Sequence, residues 1–234
     1  MDLPPHLIRA RMIRRYQRFL ADVRLEDGRE LTVHCPNSGS MLGCIEENGE
    51  VVLSVSTNPG RKYPHTLELV KVAGVWVGIN TARSNALARE ALENGVIREL
   101  QPLAAIRAEV KVSAHSRLDF LLDHGGGRLT YLEVKNCTLA EDGLALFPDA
   151  VTSRGTRHLG ELLSLVQAGH GAALLFCVQR GDVGSFAPAG RIDPAYAAAL
   201  GEAAAGGVRI LAYRAAPTPG RILLDTPLPV RLSP

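Results

Sequence analysis

The chain has 234 residues, 46% of them hydrophobic and 21% charged, with a formal net charge of +2; this composition suits one large core or two modest ones and excludes a disordered chain. So small a net charge excludes nucleic-acid binding by bulk attraction, and any such role must rest on local clusters. Its longest apolar stretches, such as 172–178, fall far short of a membrane span, and the N-terminus lacks the apolar block of a secretory signal, so a cytoplasmic protein with no membrane partner is expected.

Residues 7 to about 80 read as β-rich. Strand patterns at 8–12 and 19–25 flank an arginine-laden segment, 29–34 follows the Asp27-Gly28 turn signal, 51–56 is another strand, and 66–79 supplies two more around Gly74. Five or six short strands in so short a stretch predict a small β-barrel. An oligonucleotide-binding (OB)-like topology is favoured because closure removes exposed edges, although strand count alone does not separate it from other small barrels. Residues 80–83 mark a boundary, which divides the chain into 1–80 and 81–234.

From Asn85 the pattern changes to Leu87, Ala88, Ala91 and Leu92, a helical stripe that stops at Asn94-Gly95. Strands follow at 106–112, 117–122 and 129–134. A long helix comes next, with Leu159, Leu162, Leu163 and Val166 as its apolar face and Thr156 as its expected cap. The continuous apolar run 172–178 reads as a central strand covered on both faces. A helix over 194–205, capped by Asp193 and stopped by Gly206-Gly207, leads to a final strand at 208–213. The second half is therefore expected to be a mixed-sheet α/β domain and the whole chain an α/β (α+β) protein. Cys35, Cys44, Cys137 and Cys177 lack a paired C-x-x-C spacing, which argues against structural zinc and suits reduced, mostly buried thiols. Cys35 beside Pro36 is the one placed on an expected loop.

Three charged groups interrupt the meander. Strand alternation puts Glu133 and Lys135 on one side and Leu132 and Val134 on the other. If the strands pair through a turn at His124-Gly125-Gly126-Gly127, Asp119 lies beside Glu133, and adjacent carboxylates repel unless a cation or proton sits between them. A divalent metal resolves the conflict, and oxygen ligands favour Mg²⁺ or Mn²⁺. Acid-x-Lys is a short pattern that arises by chance. Its weight comes from context: an apolar strand holding one acid, a glycine-rich turn, and only four lysines against 22 arginines.

A helix, a β-meander bearing an acid and then Glu-x-Lys, a second helix and a strand resemble the PD-(D/E)xK nuclease superfamily. More specifically, Arg14-Arg15-Tyr16-Gln17-Arg18-Phe19, His34-Cys35-Pro36-Asn37-Ser38-Gly39, Lys62-Tyr63-Pro64-His65-Thr66, Glu133-Val134-Lys135-Asn136-Cys137-Thr138-Leu139, Phe147-Pro148-Asp149-Ala150-Val151-Thr152 and Arg157-His158-Leu159 are similar to the sugar fermentation stimulation protein A family. This resemblance implies a bacterial cytoplasmic protein that binds DNA without strong sequence preference, with an OB-like N-terminal domain and a nuclease-like C-terminal domain. It implies that Asp119 and Glu133 are metal ligands, that the Val134 carbonyl is a further ligand, that Lys135 orients the attacking water, and that Glu90 matches an additional helical acid, with Glu93 as its competitor. Proline-aspartate does not precede Asp119, which follows Arg117-Leu118. The alternative reading is a non-catalytic, non-specific DNA-binding regulator linked to sugar, especially maltose, metabolism. An enzyme of sugar metabolism is a third, for which no phosphate-cradling motif is present.

Arg9, Arg11, Arg14, Arg15 and Arg18 fall within ten residues that hold no acid, with Tyr16 among them. This cluster is expected to track phosphates while the ring stacks on a base. Arg61, Lys62, Tyr63 and His65 form a second basic-aromatic loop. Arg157 and His158, with Arg154 and Glu161, give the long helix a polar face that the superfamily architecture turns toward DNA. The loop Pro36-Asn37-Ser38-Gly39-Ser40 is read either as an ordinary connection or as an anion-holding turn.

Overall fold

The computed structural model describes residues 1–113 and 116–232. In β1 (Leu7–Tyr16) Ala10 and Met12 are buried while Arg9, Arg11 and Arg14 are exposed, the two-residue period of a barrel wall. β2 (Leu20–Leu25), β3 (Glu30–His34), β4 (Glu50–Val55) and β5 (His65–Val72) complete that wall. Pairing runs β1-β2-β3-β5-β4 and back to β1, closed by the parallel bridge His34↔Thr66, and β6 (Val75–Gly78) extends β5 as a hairpin. Val23, Val33, Leu53, Leu67 and Ile79 fill the interior. The closed five-strand barrel has the OB topology expected from sequence. Only the length of β1 differs, because it carries Arg14 and Arg15 on the strand past an irregularity between Met12 and Arg14.

The second half begins with α1 (Arg83–Glu93), followed by β7 (Ala105–Lys111), β8 (Arg117–Asp123) and β9 (Leu129–Cys137). Then come β10 (Leu139–Glu141), β11 (Leu144–Phe147), α2 (Ser153–Gln167), β12 (Gly171–Val178), β13 (Ser185–Pro188), α3 (Pro194–Ala205), β14 (Arg209–Ala215) and β15 (Leu224–Pro227). One six-stranded sheet has the order β15-β14-β12-β9-β8-β7, with β9, β12 and β14 parallel. Because β12 is central and apolar throughout, it feeds two cores. Ala173, Leu175 and Cys177 meet Leu87, Ala88 and Leu92 of α1, and Leu174, Phe176 and Val178 meet Leu159 and Leu162 of α2 and Leu200 of α3. The sheet is thus sandwiched between α1 and the α2–α3 pair. No helix among the described residues is long and apolar enough to cross a membrane.

Two sequence expectations need correction. α2 is capped by Thr152, whose hydroxyl accepts the Gly155 N–H at 3.1 Å, and Thr156 lies inside the helix. Gly155, which looks like a reason to start the helix later, is a packing residue instead. A Cβ there would stand 2.8 Å from Thr152 and 3.0 Å from Tyr196 of α3. The strand expected to be last is followed by β15, and the small sheet β10-β11-β13 was not foreseen. All four cysteines are free and buried, Cys35 included.

The halves are latched in three places. Buried Glu68 of β5 accepts hydrogen bonds from Ser54, Asn80 and Arg83. Gly78 donates its N–H to the Gln179 carbonyl at 2.9 Å, an approach that leaves no room for a side chain at 78. Asp149 accepts the Met41 N–H at 2.8 Å, and its carbonyl accepts the Ser40 hydroxyl at 2.6 Å. Asp149 also crowds Gly39. The loop 36–40 is thus an ordinary connection pinned to Asp149: the Gly39 N–H is taken by the Asn37 side chain, and the Asp149 carboxylate binds the next residue, Met41.

Candidate functional site

The β8–β9 hairpin turns through Gly125, Gly126 and Gly127, all at positive φ, and pairs Phe120 with Leu132 and Leu122 with Thr130. This register brings Asp119 beside Glu133 at the end of the pairing. Asp119 is fixed by two donors, the Val134 N–H to Oδ2 at 2.7 Å and Asn85 Nδ2 to Oδ1 at 2.8 Å. Glu133 is buried, and its Oε1 accepts from Lys135 Nζ at 2.6 Å and from His158 Nδ1. The tautomer follows from the other nitrogen: Arg154 Nε donates to His158 Nε2 at 3.4 Å, so the imidazole proton sits on Nδ1. One carboxylate oxygen is thereby saturated. The other, Glu133 Oε2, is buried without a hydrogen-bond partner among the described residues.

Burial and then the Glu133 charge push the Asp119 carboxyl up to about 6. Burial acts on Glu133 too, but the His158 hydrogen bond and the Lys135 ammonium outweigh it and hold that carboxyl below its usual value. Environment thus splits two neighbouring acids: Glu133 ionises below the usual carboxylate range and Asp119 only as pH rises through about 6. They open into a polar cleft of about 570 Å³ that Lys111, Arg117, Arg154 and Arg157 also line.

The donor set fits a hard divalent cation. A buried carboxylate oxygen with no partner is costly unless a positive charge meets it, and Glu133 and Asp119 line the same cleft. Among the described residues no group of three or more acids, histidines or cysteines is placed to hold a metal ion, so Asp119 and Glu133 are the two carboxylates this cleft would offer a cation, with water completing its shell.

Asp119, Glu133 and Lys135 come together as the sequence predicted. Glu90 does not join them: it holds the Met1 amino group at 2.6 Å, while Glu93 pairs with Arg89. The α1 residue at the acids is Asn85, which a search for carboxylates passes over. His158 is a second correction, since burial beneath Glu133 and Lys135 denies it direct contact with DNA. Its signal was present, because Gly155, His158, Leu159 and Leu162 form the buried stripe of α2. Arg157 stays exposed in the cleft, and Glu161 accepts the Ser116 hydroxyl.

On the barrel, Arg9 pairs with Glu50 at 3.7 Å, Arg11 holds the Asn48 carbonyl, and Arg14 pairs with Asp22 at 2.9 Å. Arg14 also covers the Tyr16 ring, whose hydroxyl is tied to Asp22, so that ring is a poor stacking platform. Arg15 is turned inward on the carbonyls of Arg18, Asn37, Gly39 and Ser40. Arg18 and Lys62 remain exposed without carboxylate partners among the described residues, Lys62 over the Tyr63 ring. The two basic loops lie near one another, because Arg61 contacts His34, which pairs with Leu20 beside the β1–β2 turn.

An OB barrel latched to a sheet sandwiched by helices, with two acids and a lysine converging on its meander, defines a two-domain OB-plus-α/β class of protein. Family models agree in both halves: the SfsA N-terminal OB domain matches residues 13–79 and the sugar fermentation stimulation protein RE domain matches 82–221. The chain belongs to the sugar fermentation stimulation protein (SfsA) family. It is 53% identical to the sugar fermentation stimulation protein homolog of Citrifermentans bemidjiense over 99% of this chain and 100% of that one. It is 52% identical to the homolog of Thioalkalivibrio sulfidiphilus over 100% and 99%. The structure of Pyrococcus furiosus SfsA in complex with Ca²⁺ matches with a TM-score of 0.89 and 28% identity, covering 99% of this chain and 98% of that chain.

Proposed function

We propose that this protein is a cytoplasmic, Mg²⁺- or Mn²⁺-dependent phosphodiester hydrolase that acts on DNA without sequence preference. The observation that carries the reading is Glu133: Oε1 is saturated by Lys135 and His158 while buried Oε2 has no partner among the described residues, in a side chain that shares its cleft with Asp119. That a relative was solved with Ca²⁺ supports a hard divalent cation in this family. Asp119 and Glu133 hold the metal, which when bound polarises the phosphoryl oxygen and makes a coordinated water more acidic.

The chain's own groups supply the rest. Asn85 and the Val134 N–H hold Asp119 in position, and His158 fixes the Glu133 rotamer from beneath. Lys135, which donates to Glu133 and lies 3.1 Å from His158 Nδ1, orients the attacking water and offsets charge on phosphorus. Arg154 and Arg157 line the cleft where the phosphodiester lies. Exposed Arg18 and Lys62 on the barrel loops neutralise phosphates along the strand.

Incubation of plasmid and single-stranded DNA with Mg²⁺ or Mn²⁺ tests this. Cleavage that disappears in Asp119→Ala and Lys135→Ala, with DNA binding retained, is the expected result. Folded wild-type protein that binds DNA and cleaves none would overturn the hydrolase and leave a non-catalytic DNA-binding protein.

A further inference from the structure

A second cavity, of about 460 Å³, lies where the barrel meets the α/β domain, within the size range of small-ligand sites. Its back wall is apolar, with Leu139, Leu146, Phe147 and Pro148. Its polar groups come from both halves. Asn37 is 4% exposed and uses its amide oxygen on Gly39, and Asn136 uses its amide oxygen on Ser84 and Gln179. Neither amide nitrogen has a hydrogen-bond partner among the described residues. Positive charge comes from Arg15, which faces four carbonyls and no carboxylate, and from unpaired Arg18.

Val151, which lines the cavity, is 76% exposed, and Phe19, the residue directly after the lining residue Arg18, is 52% exposed; they are two of the four exposed large hydrophobic side chains among the described residues. Phe19 is presented by a turn in which Gln17 and Arg18 both adopt positive φ, a conformation that non-glycine residues seldom take and that is held against local strain. The cavity also sits at the carboxyl end of β9, where open α/β sheets bind ligands. Asn136 follows Lys135 directly, and Thr152 is two residues before Arg154.

We infer that this cavity receives one unpaired nucleobase of a single-stranded DNA substrate, with Phe19 stacking on the neighbouring base. The inference rests on the proposed action on DNA and adds its substrate class. The two free amide nitrogens match acceptor atoms on the edge of a base, an apolar wall matches its faces, and exposed Arg18 matches a flanking phosphate, while Arg15, held on four carbonyls, adds positive charge to the wall. A base in a duplex has its edge paired and its faces stacked, so it enters an interior cavity only after extrusion from the helix.

The test is fluorescence anisotropy at low salt with chelator present, using a labelled oligothymidine and a blunt duplex of the same length. Ser38 is exposed and lines the cavity, so Ser38→Trp plugs it with little demand on the fold, while Phe19→Ala removes the stacking platform. Wild-type protein is expected to prefer the single strand by about tenfold or more. Each variant is expected to lose about tenfold on the single strand and less than about twofold on the duplex. Equal affinity for both probes, an unaltered single-strand affinity in Ser38→Trp, or no binding of either probe would each overturn the assignment. Cleavage assays separate it from the underlying reading. A plug effect with no metal-dependent cleavage sinks the hydrolase alone, and cleavage with no plug effect sinks the cavity alone.

Discussion

Asp119 makes the site's affinity for a divalent cation depend on pH in a range where ordinary aspartates do not titrate. The usual carboxyl value of 3.8 is raised to about 6 by burial and by Glu133, while Glu133 is held low, so Asp119 carries the proton that competes with metal. For one competing proton the apparent Kd scales as one plus the ratio of protonated to ionised carboxyl. That ratio is about ten at pH ~5 and about a tenth at pH ~7, so affinity should weaken about tenfold between them. An unshifted carboxyl would give a change below roughly a tenth over the same interval. Titration calorimetry with Mn²⁺ at several pH values measures this directly. Asp119→Asn should bind more weakly at every pH and lose the slope. A flat wild-type profile, or a slope that survives in Asp119→Asn, would refute the reasoning.

The same shift has a stability sign. A carboxyl raised in the folded state binds its proton more tightly there, so metal-free protein loses stability as pH rises from 3.8 through about 6. The full penalty is on the order of 3 kcal/mol at neutral pH, part of which Asn returns by facing one of two donors with its own NH₂. Asp119→Asn should therefore stabilise the metal-free protein by about 1–2 kcal/mol in urea denaturation at pH ~7, and a destabilised variant would contradict the account. His158→Ala should cost about 2 kcal/mol and weaken Mn²⁺ binding, with His158→Asn restoring part of both by supplying a donor near Nδ1; unchanged affinity in the alanine variant argues against a positioning role. Arg83→Ala strips the cation from Glu68, which is 1% exposed, and should cost about 3–5 kcal/mol at neutral pH. Burial raises the Glu68 carboxyl, but its hydrogen bonds from Arg83, Ser54 and Asn80 prevail and lower it. Its contribution is thus complete above 4.5 and fades as pH falls through the depressed value, so the gap between variant and wild type should close on acidification. In salt titrations of DNA binding, removing Arg18, Lys62 or Arg157 should each flatten the slope by about one. Arg14→Ala should do less, because Arg14 is already paired with Asp22.

The meander was legible because alternation and a glycine turn together fix register. A turn at 124–127 brings Asp119 to the level of Leu132 and Glu133, and the observed connection is one residue longer, pairing Asp123 with Leu129 and so setting Asp119 opposite Glu133. The Asp193 cap and the Gly206 stop of α3 were legible for the same local reason. What stayed hidden depends on packing between distant segments. β10, β11 and β13 have three or four residues each, too few for a period to emerge. Thr152 and Thr156 are equal as caps in sequence, and the close approach of Tyr196 to Gly155 is what makes the glycine part of the helix. His158 was read with its exposed neighbours Arg154 and Arg157, although its spacing to Leu162 places it on the buried side. Glu90 illustrates the reverse error, since an acid on the correct helix is drawn to the Met1 amino group while the amide of Asn85 reaches Asp119.

Why the two halves are latched so firmly follows from where the cavity walls come from. Arg15, Arg18 and Asn37 belong to the barrel, and Asn136, Phe147 and Val151 to the α/β domain, so a mobile linker would separate groups that must meet one ligand. Ordering them at the moment of binding would be charged against affinity, whereas a junction already fixed by Glu68, Gly78 and Asp149 leaves that entropy lost on folding. Asp149 has the most direct part. By accepting Met41 and crowding Gly39 it sets the loop that Arg15 clamps from the other side, and the position of Asn37 follows from both. Asp149→Ala should accordingly leave the acids at 119 and 133 able to bind Mn²⁺ while loosening the loop. Protease cleavage near residues 37–42 should then accelerate, and single-strand affinity should drop about as far as in Ser38→Trp. If metal and single-strand binding instead fell together, the junction would be holding the metal centre itself, and the two sites would be one.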